Sequence, residues 1–532
     1  MKIYYLPLLL LFFGSASTKE PTPKPNIILI MSDDHAYQAI SAYGHGLNHT
    51  PHIDRIAENG AIFNNSFVSN SICAPSRAVM LTGKHSFING KVDNIQDFNW
   101  DQDNFAKRLQ SAGYQTALIG KIHLRGLPQG FDYSAVLPGQ GHYYNPNFII
   151  NGQTQRINGH VTPITTELAL DWLETKRENN RPFLLIYNQK APHRNWKAEE
   201  KYLTLFDDKT FDPPDNFFDD YSGRGTAAKT QEMQIHATEE ELAKAHGSGG
   251  HGRWGHDFKL VEDPFGRSST RFLNQLERFD DQQKKAWHDA YEPKNKAFLK
   301  NYESMTEKEI ALWKFNRYIK DYLRTVQSID DGVGQVMEYL KENNLIENTV
   351  VIYTSDQGFY LGEHGWFDKR FMYEESLRTP LLIQYPNEIS PGTQVTQLVQ
   401  NLDLAPTILH YADIDIPEEY QGKSFRNLLN HQSSDWREAI YYTYYEYPSV
   451  HMVKRHYGIR TNRYKLIHFY YDVDEWELYD LEKDPSEMNN LYNHEDYTPI
   501  QEELHQQLQE LREHYGDSDE LNQMHLDRYL SR

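Results

Sequence analysis

Asn26-Ile27-Ile28-Leu29-Ile30-Met31-Ser32-Asp33-Asp34-His35 changes character in one step: an unbroken apolar run gives way to two carboxylates and an imidazole. A continuous apolar run, rather than an alternating one, is the pattern of a strand buried on both faces, the situation of a central strand in a parallel sheet. In open α/β sheets, ligands bind beyond the carboxyl ends of such strands, which is where Asp33 and Asp34 stand. Two adjacent carboxylates there are costly unless something positive holds them. The alternative is a solvated loop, because Asp is common in turns.

The same device recurs along the chain. Thr349-Val350-Val351-Ile352-Tyr353-Thr354 leads into Ser355-Asp356-Gln357-Gly358, a second delivery of a carboxylate from an apolar strand. Asp33, Asp34, Asp356 and the amide oxygen of Gln357 form an all-oxygen donor set, which suits Ca²⁺ better than Zn²⁺. Tyr114 to His123 reads as a strand that carries Lys121 and His123 to its end. Pro182 to Asn188 reads as another, followed by Gln189-Lys190-Ala191-Pro192-His193, so that His193 falls on the same edge.

Cys73-Ala74-Pro75-Ser76-Arg77 supplies the remaining chemistry. Cys73 is the only cysteine, so it forms no intrachain disulfide. Pro75 suits a first helical turn, and Ser76 to Leu81 reads as that helix. Cys73 then stands just before a helix N-terminus, where backbone N–H groups favour an anion. Arg77, about one turn on, adds a fixed positive charge shaped for tetrahedral oxyanions. A small buried cysteine that merely packs is the alternative.

Cys73-x-Pro75-x-Arg77 followed by Thr82-Gly83, together with Gly113-Tyr114-x-Thr116 and Gly120-Lys121-x-His123, resembles the two signatures of the type I sulfatases. Thr50-Pro51-His52-Ile53-Asp54-Arg55-Ile56-Ala57 resembles a structural segment that family carries ahead of its cysteine, and Ser355 to Pro380 is similar to the bacterial polysaccharide sulfatases and the glucosamine-6-sulfatase group. The resemblance implies an α/β, alkaline-phosphatase-like sandwich with a large mixed sheet, plus a smaller C-terminal α+β domain with an antiparallel sheet. It implies that a maturation enzyme oxidises Cys73 to formylglycine, whose hydrate attacks the sulfur of a sulfate ester beside a bound Ca²⁺. By the same resemblance Lys121 binds sulfate, His123 assists the hydrate, Lys369 bridges sulfate and nucleophile, and His193 protonates the leaving alcohol or holds the sulfate. Where the family more often has Asn or His as the fourth metal ligand, this chain has Gln357. His364, in Gly362-Glu363-His364-Gly365, is close enough in sequence to reach substrate or to cap its own loop.

The bulk numbers bound the rest. At 532 residues, 39% hydrophobic and 24% charged, the chain accommodates one large domain and a smaller one. A net charge of −21 argues against nucleic acid and anionic membranes as partners, so any anion binding is local. Residues 1–17 read as a secretory signal peptide and 18–25 as a linker, which predicts a secreted or periplasmic protein. Residues 26–424 are expected to form the catalytic domain and 425–532 the α+β unit. Phe206 to Lys300 reads as surface excursions, with His246, His251 and His256 in a glycine-rich loop rather than a metal site. Leu312 to Asn344 reads as a long amphipathic helix. His451, Lys454 and Arg455 form a basic cluster that either touches a sulfated or uronic sugar or is solvated surface.

The reading reached is a sulfatase acting on a sulfated oligo- or polysaccharide. An acidic surface fits a salty habitat and favours a marine algal polysaccharide such as ulvan. The alternatives are glucosamine 6-sulfate in glycosaminoglycans, a phosphatase or phosphodiesterase on the same fold, and an inactive sugar-binding protein.

Overall fold

The computed structural model describes residues 1, 24–236, 258–260, 264, 276–430 and 435–531. The leader and most of the linker read from the sequence, and His246, His251 and His256, lie outside the described residues.

The apolar runs are indeed the middle of the sheet. Thr349–Ser355, Asn26–Ser32, Phe183–Asn188, Gln115–Lys121 and Tyr133–Leu137 lie side by side in that order, all parallel. Five more strands complete a ten-stranded mixed sheet: on one side Leu381–Gln384, antiparallel to both Thr349–Ser355 and Ala61–Phe63, then Thr393–Val395, parallel to Ala61–Phe63; on the other the antiparallel Asn147–Ile150 and Gln153–Arg156. Successive residues of Asn26–Ser32 point to opposite faces. Ile27, Leu29 and Met31 pack against the helices Cys73–Thr82, Phe105–Ser111 and Leu404–Tyr411. Ile28 and Ile30 pack against Pro51–Glu58, Val161–Asp171 and Glu307–Glu342. Helices on both faces make the sandwich, and explain why these strands carry no polar face.

Register decides what the sheet presents at its edge. Ser32 pairs with Ser355, Met31 with Asn188, and Asn188 with Gly120, so Gln189 and Lys121 emerge level with Ser32 and Ser355, and Asp33 and Asp356 follow one residue beyond. Gly120 makes this possible. Its φ is +101°, and a Cβ there would lie 1.8 Å from the Asn188 carbonyl oxygen, so no other residue lets the strand deliver Lys121 at this height.

The 36-residue helix Glu307–Glu342 opens with a capping box between Thr306 and Glu309. It buries Phe315, Tyr318, Tyr322, Ile329, Val333 and Val336 at helical spacing. Tyr322 fixes the loop after the first strand: its hydroxyl accepts from Ala36 N at 2.8 Å and donates to the Asp34 carbonyl at 2.7 Å. Tyr322→Phe strands both backbone groups in the core. The expected cost is about 2 kcal/mol, read by denaturant titration.

Residues 206–236 form short pieces, but the reading of everything up to Lys300 as surface excursion is corrected by Asp281–Asn301, a 21-residue helix. Its capping box joins Asp280 and Gln283, and Trp287, Ala290, Tyr291 and Phe298 form its buried stripe. Pro293, in mid-helix, and a dense run of charges hide that periodicity in the sequence. At the other end, Ala439–Tyr444, His456–Thr461, Tyr464–Phe469 and Glu475–Asp480 form a four-stranded antiparallel meander. Leu504 and Leu508 of the helix Thr498–Tyr515 pack on it. The meander abuts the edge described above: Thr443 N donates to Ser69 O at 3.0 Å, and Tyr442 OH donates to Arg370 O at 2.6 Å.

Candidate active site

Cys73 is the first residue of the helix Cys73–Thr82, not the residue before it, and Ser76 N makes the first turn's bond to Ile72 O at 3.0 Å. The helix starts earlier than the sequence reading places it because first-turn N–H groups have no intrahelical partner, so Pro75 fits inside that turn at no cost. Cys73 is a free, buried cysteine that lines a cavity of about 690 Å³. Its Sγ, a ring nitrogen of His193 and a carboxylate oxygen of Asp33 all lie within 4.8 Å of one another. Gln357 Nε2 approaches Sγ to 3.9 Å.

Beneath the cavity, oxygens of Asp33, Asp34 and Asp356 also lie within 4.8 Å of each other, all fully buried. Three buried carboxylates need cations, and the chain supplies them. Arg77 places Nε 2.9 Å and Nη2 2.8 Å from Asp356 Oδ2, with Nη2 3.5 Å from Asp33 and Nη1 donating to the Lys121 carbonyl at 2.6 Å. Lys121 Nζ pairs with Asp33 and with Gln140 Oε1. Lys369 Nζ sits 2.6 and 2.8 Å from the two oxygens of Asp34. Burial opposes ionisation of Asp33, yet Lys121 and Arg77 hold its carboxyl well below the usual range. Burial pushes Asp356 up to about 7 against the pull of Arg77, with Asp33 and Asp34 adding to the rise. Three cations thus face three carboxylates, and it is burial that opposes full ionisation of Asp356. Gln357 donates its amide N–H to Asp34, and among the described residues its Oε1 has no hydrogen-bond partner.

The remaining residues divide sharply. His193 and Lys369 line the cavity. His123 stands at its strand end beside Lys121, with burial and that lysine keeping its ring neutral. The structure does not bring His364 to the cavity. It has a left-handed φ of +56°, is fully buried, accepts from Arg224 Nη1 at 2.8 Å, and packs among Tyr360, Trp366 and Tyr373. Its ring neither reaches the cavity nor caps its own loop, but bonds to the segment that carries Asp219 and Arg224. His451 and Arg455 are neither surface nor cavity lining, and both are fully buried. His451 Nε2 lies 3.4 Å from Asp368 Oδ2, behind the cavity wall, and Arg455 lies over the rings of Tyr445 and Tyr470.

Several cavity residues escape the sequence reading: Gln140, Lys190, Arg194, Asp368, Arg370 and Glu446. Most of them carry a signal in the chain. Lys190 and Arg194 lie within the segment that carries His193, and Asp368 and Arg370 flank Lys369. Glu446 follows the strand Ala439–Tyr444 by two residues and binds Arg370 Nη1 at 3.0 Å. Lys190 is buried over the Tyr143 ring at 4.8 Å, and burial, with Lys121 adding to it, brings its ammonium down to about 7.

A family model described as Sulfatase matches residues 25–414, and one described as N-sulphoglucosamine sulphohydrolase, C-terminal, matches residues 362–514. An N-acetylglucosamine-6-O-sulfatase of Bacteroides thetaiotaomicron is 45% identical over 524 residues, 97% of this chain and 91% of that protein. An ulvan-active sulfatase of Formosa agariphila is 23% identical over 530 residues, 96% of this chain and 85% of that protein. A solved structure of a protein in complex with its substrate, D-glucosamine-2-N,6-O-disulfate, matches with a TM-score of 0.87 at 45% identity, over 93% of this chain and 99% of that one. Matches of this length and identity, on a sheet whose edge gathers the signature residues, put the chain in the sulfatase family, as a sulfuric ester hydrolase of the glucosamine-6-sulfatase-like group.

Proposed function

We propose that the protein removes the 6-O-sulfate from glucosamine units of sulfated saccharides, using a formylglycine made from Cys73 by a maturation enzyme and a bound Ca²⁺. The observation that carries this reading is the position of Cys73, on the wall of a saccharide-sized cavity, with His193 and Lys369 beside it and the carboxylate trio beneath. The sugar follows from the relatives: 45% identity to a glucosamine-6-O-sulfatase against 23% to an ulvan-active enzyme weighs against the algal polysaccharide.

The thiol itself does not suit the task. Burial pushes it far up, against Lys369, so it stays protonated at neutral pH. Formylglycine at residue 73 supplies, as its hydrate, a hydroxyl to attack sulfur. Asp33, Asp34, Asp356 and Gln357 fit Ca²⁺ because all are hard oxygen donors, the three carboxylates converge within 4.8 Å and, among the described residues, Gln357 Oε1 has no hydrogen-bond partner. When bound there, the ion would polarise a sulfuryl oxygen. Lys121 and Lys369 hold the other oxygens by charge-assisted hydrogen bonds. Arg77, with Nε and Nη2 on Asp356 and Nη1 on the Lys121 carbonyl, positions those groups rather than touching substrate.

Of His193 and His364, the two candidate acids, His193 is the one that reaches the cavity. Its Nδ1 donates to the Arg194 carbonyl at 2.6 Å, leaving Nε2 to serve the departing O6. Burial and Lys121 keep the imidazole neutral, and a bound sulfate between them would supply the countercharge that lets it carry the proton. His123, beside Lys121, would take the proton of the hydrate's second hydroxyl as the carbon–oxygen bond to sulfate breaks, so that sulfate leaves and the aldehyde re-forms. A leader at residues 1–17 fits an exported saccharide-degrading enzyme, checked by sequencing the mature N-terminus from the native host.

Ca²⁺ at about 100 times its Kd is expected to add ~2.7 kcal/mol to stability. That appears as a rise in Tm, absent in Asp33→Asn; an equal rise in that variant would rule out this site. The substrate assignment is tested by ion chromatography of sulfate released from glycosaminoglycan and ulvan oligosaccharides by the matured enzyme. Release from chains ending in glucosamine 6-sulfate is expected, and release from ulvan alone would refute the assignment.

A further inference from the structure

A second cavity, of about 370 Å³, opens between the helix Asp281–Asn301, the first half of the helix Glu307–Glu342 and the chain at Asp207. It shares no lining residue with the catalytic cavity. Lys294, Arg317, Lys320 and Arg324 line it, and Asp207 is its one lining carboxylate among the described residues. Asp207 is already taken by Lys294 at 2.8 Å and Arg324 at 2.5 Å. A neighbouring carboxylate, Asp321, is occupied by Arg324 at 2.9 Å, Lys259 at 2.5 Å and the Tyr291 hydroxyl at 2.6 Å. Among the described residues, Arg317 and Lys320 have no carboxylate within ion-pair distance.

Arg317 is 7% exposed, and its guanidinium lies over the rings of Tyr291 and Trp313 at 5.3 and 5.1 Å. Nη2 donates to Asn295 at 2.7 Å, while Nη1 is buried with no hydrogen-bond partner among the described residues. An unused buried donor costs stability, and folding alone does not explain a concentration of cations that the carboxylates among the described residues leave unbalanced. Burial, with Arg324 adding to it, depresses the Lys320 ammonium, and Asp207 and Asp321 only partly offset this. Trp313 is half-buried and stacks on Phe298 at 3.6 Å, a rigid apolar platform beside the cations. Planar donors beside an aromatic face match an oxyanion carried on a sugar ring.

We propose that this cavity is an ancillary binding site for a sulfated saccharide, with Arg317 and Lys320 on the sulfate and Trp313 against the ring. The choice of a sulfated sugar among anions rests on the substrate class proposed above; the surplus of positive charge does not. Such a site would keep a long chain on the enzyme between turnovers by raising its effective concentration.

The test uses the full chain carrying Cys73→Ala, so that nothing is turned over. Calorimetry follows a heparin octasaccharide with the catalytic cavity filled by saturating glucosamine 6-sulfate. Binding is expected to persist, to weaken about tenfold in Lys320→Glu and in Trp313→Ala, and to fall with added salt. With Cys73 restored and matured, both variants should release sulfate from the monosaccharide at the unaltered rate, which also shows them folded. Octasaccharide binding that the monosaccharide abolishes, or that neither substitution changes, would overturn the proposal. Equal binding of a hyaluronan octasaccharide, which has carboxylates and no sulfate, would overturn the assignment to sulfate. Failure of the monosaccharide to turn over, with octasaccharide binding intact, would instead count against the catalytic reading.

Discussion

Cys73→Ala is expected to reduce sulfate release to background, a loss on the order of 10⁶-fold in kcat if the residue is the nucleophile's precursor. The fold should survive, since the side chain is small and Sγ anchors no network: Gln357 Nε2 approaches it only to 3.9 Å. Cys73→Ser separates the roles further. Serine conserves volume and offers a hydroxyl, but no aldehyde if maturation does not act on it, so turnover should stay near background while Ca²⁺ still raises Tm. Substantial activity in Cys73→Ala would mean that residue 73 only shapes the cavity, and that another group attacks.

Arg77→Ala is expected to cost the fold about 3–5 kcal/mol, the penalty for removing one partner of a buried ion cluster. The side chain is fully buried with two nitrogens on Asp356, and Asp33 lies 3.5 Å away, so its loss leaves carboxylates crowded without their principal countercharge. Asp356, already pushed up to about 7 by burial, would then be protonated at neutral pH and a poorer metal ligand. Arg77→Lys restores charge but not the Nη1 bond to the Lys121 carbonyl, so it should recover less than half of the loss. Guanidinium titration measures the stability, and Ca²⁺ titration of each folded variant measures the second consequence. An unchanged midpoint in Arg77→Ala would remove the arginine from the cluster's support.

The strands that build the site are legible in the sequence because burial on both faces writes an uninterrupted apolar run, as at Asn26 to Met31 and Thr349 to Thr354. The chemistry is legible because it follows those runs directly: Asp33, Asp34, Lys121, His193 and Asp356 all stand at or just past a strand's end. Residues placed by loop geometry are not. His364 is turned inward by a left-handed backbone, and His451 and Arg455, polar and clustered, suggest contact with sugar or solvent yet are fully buried. Composition cannot separate a buried network from a binding patch. Arg370 and Asp368 are the converse case: they flank the recognised Lys369 and line the cavity on a backbone with positive φ values of +96° and +76°. The helix Asp281–Asn301 is hidden for a third reason, since its charged face and Pro293 outweigh a sparse aromatic stripe.

The matched families leave one discrimination at the centre of the account, between an ester sulfate at O6 and an amine-linked sulfate at N2. D-Glucosamine-2-N,6-O-disulfate carries both. Matured enzyme would be incubated with this sugar, and the product's remaining sulfate located by NMR alongside ion chromatography of free sulfate. One equivalent is expected, released from O6, with the N-sulfate retained. Release from N2 with O6 intact, by enzyme whose residue-73 peptide has the mass of the aldehyde, would contradict it.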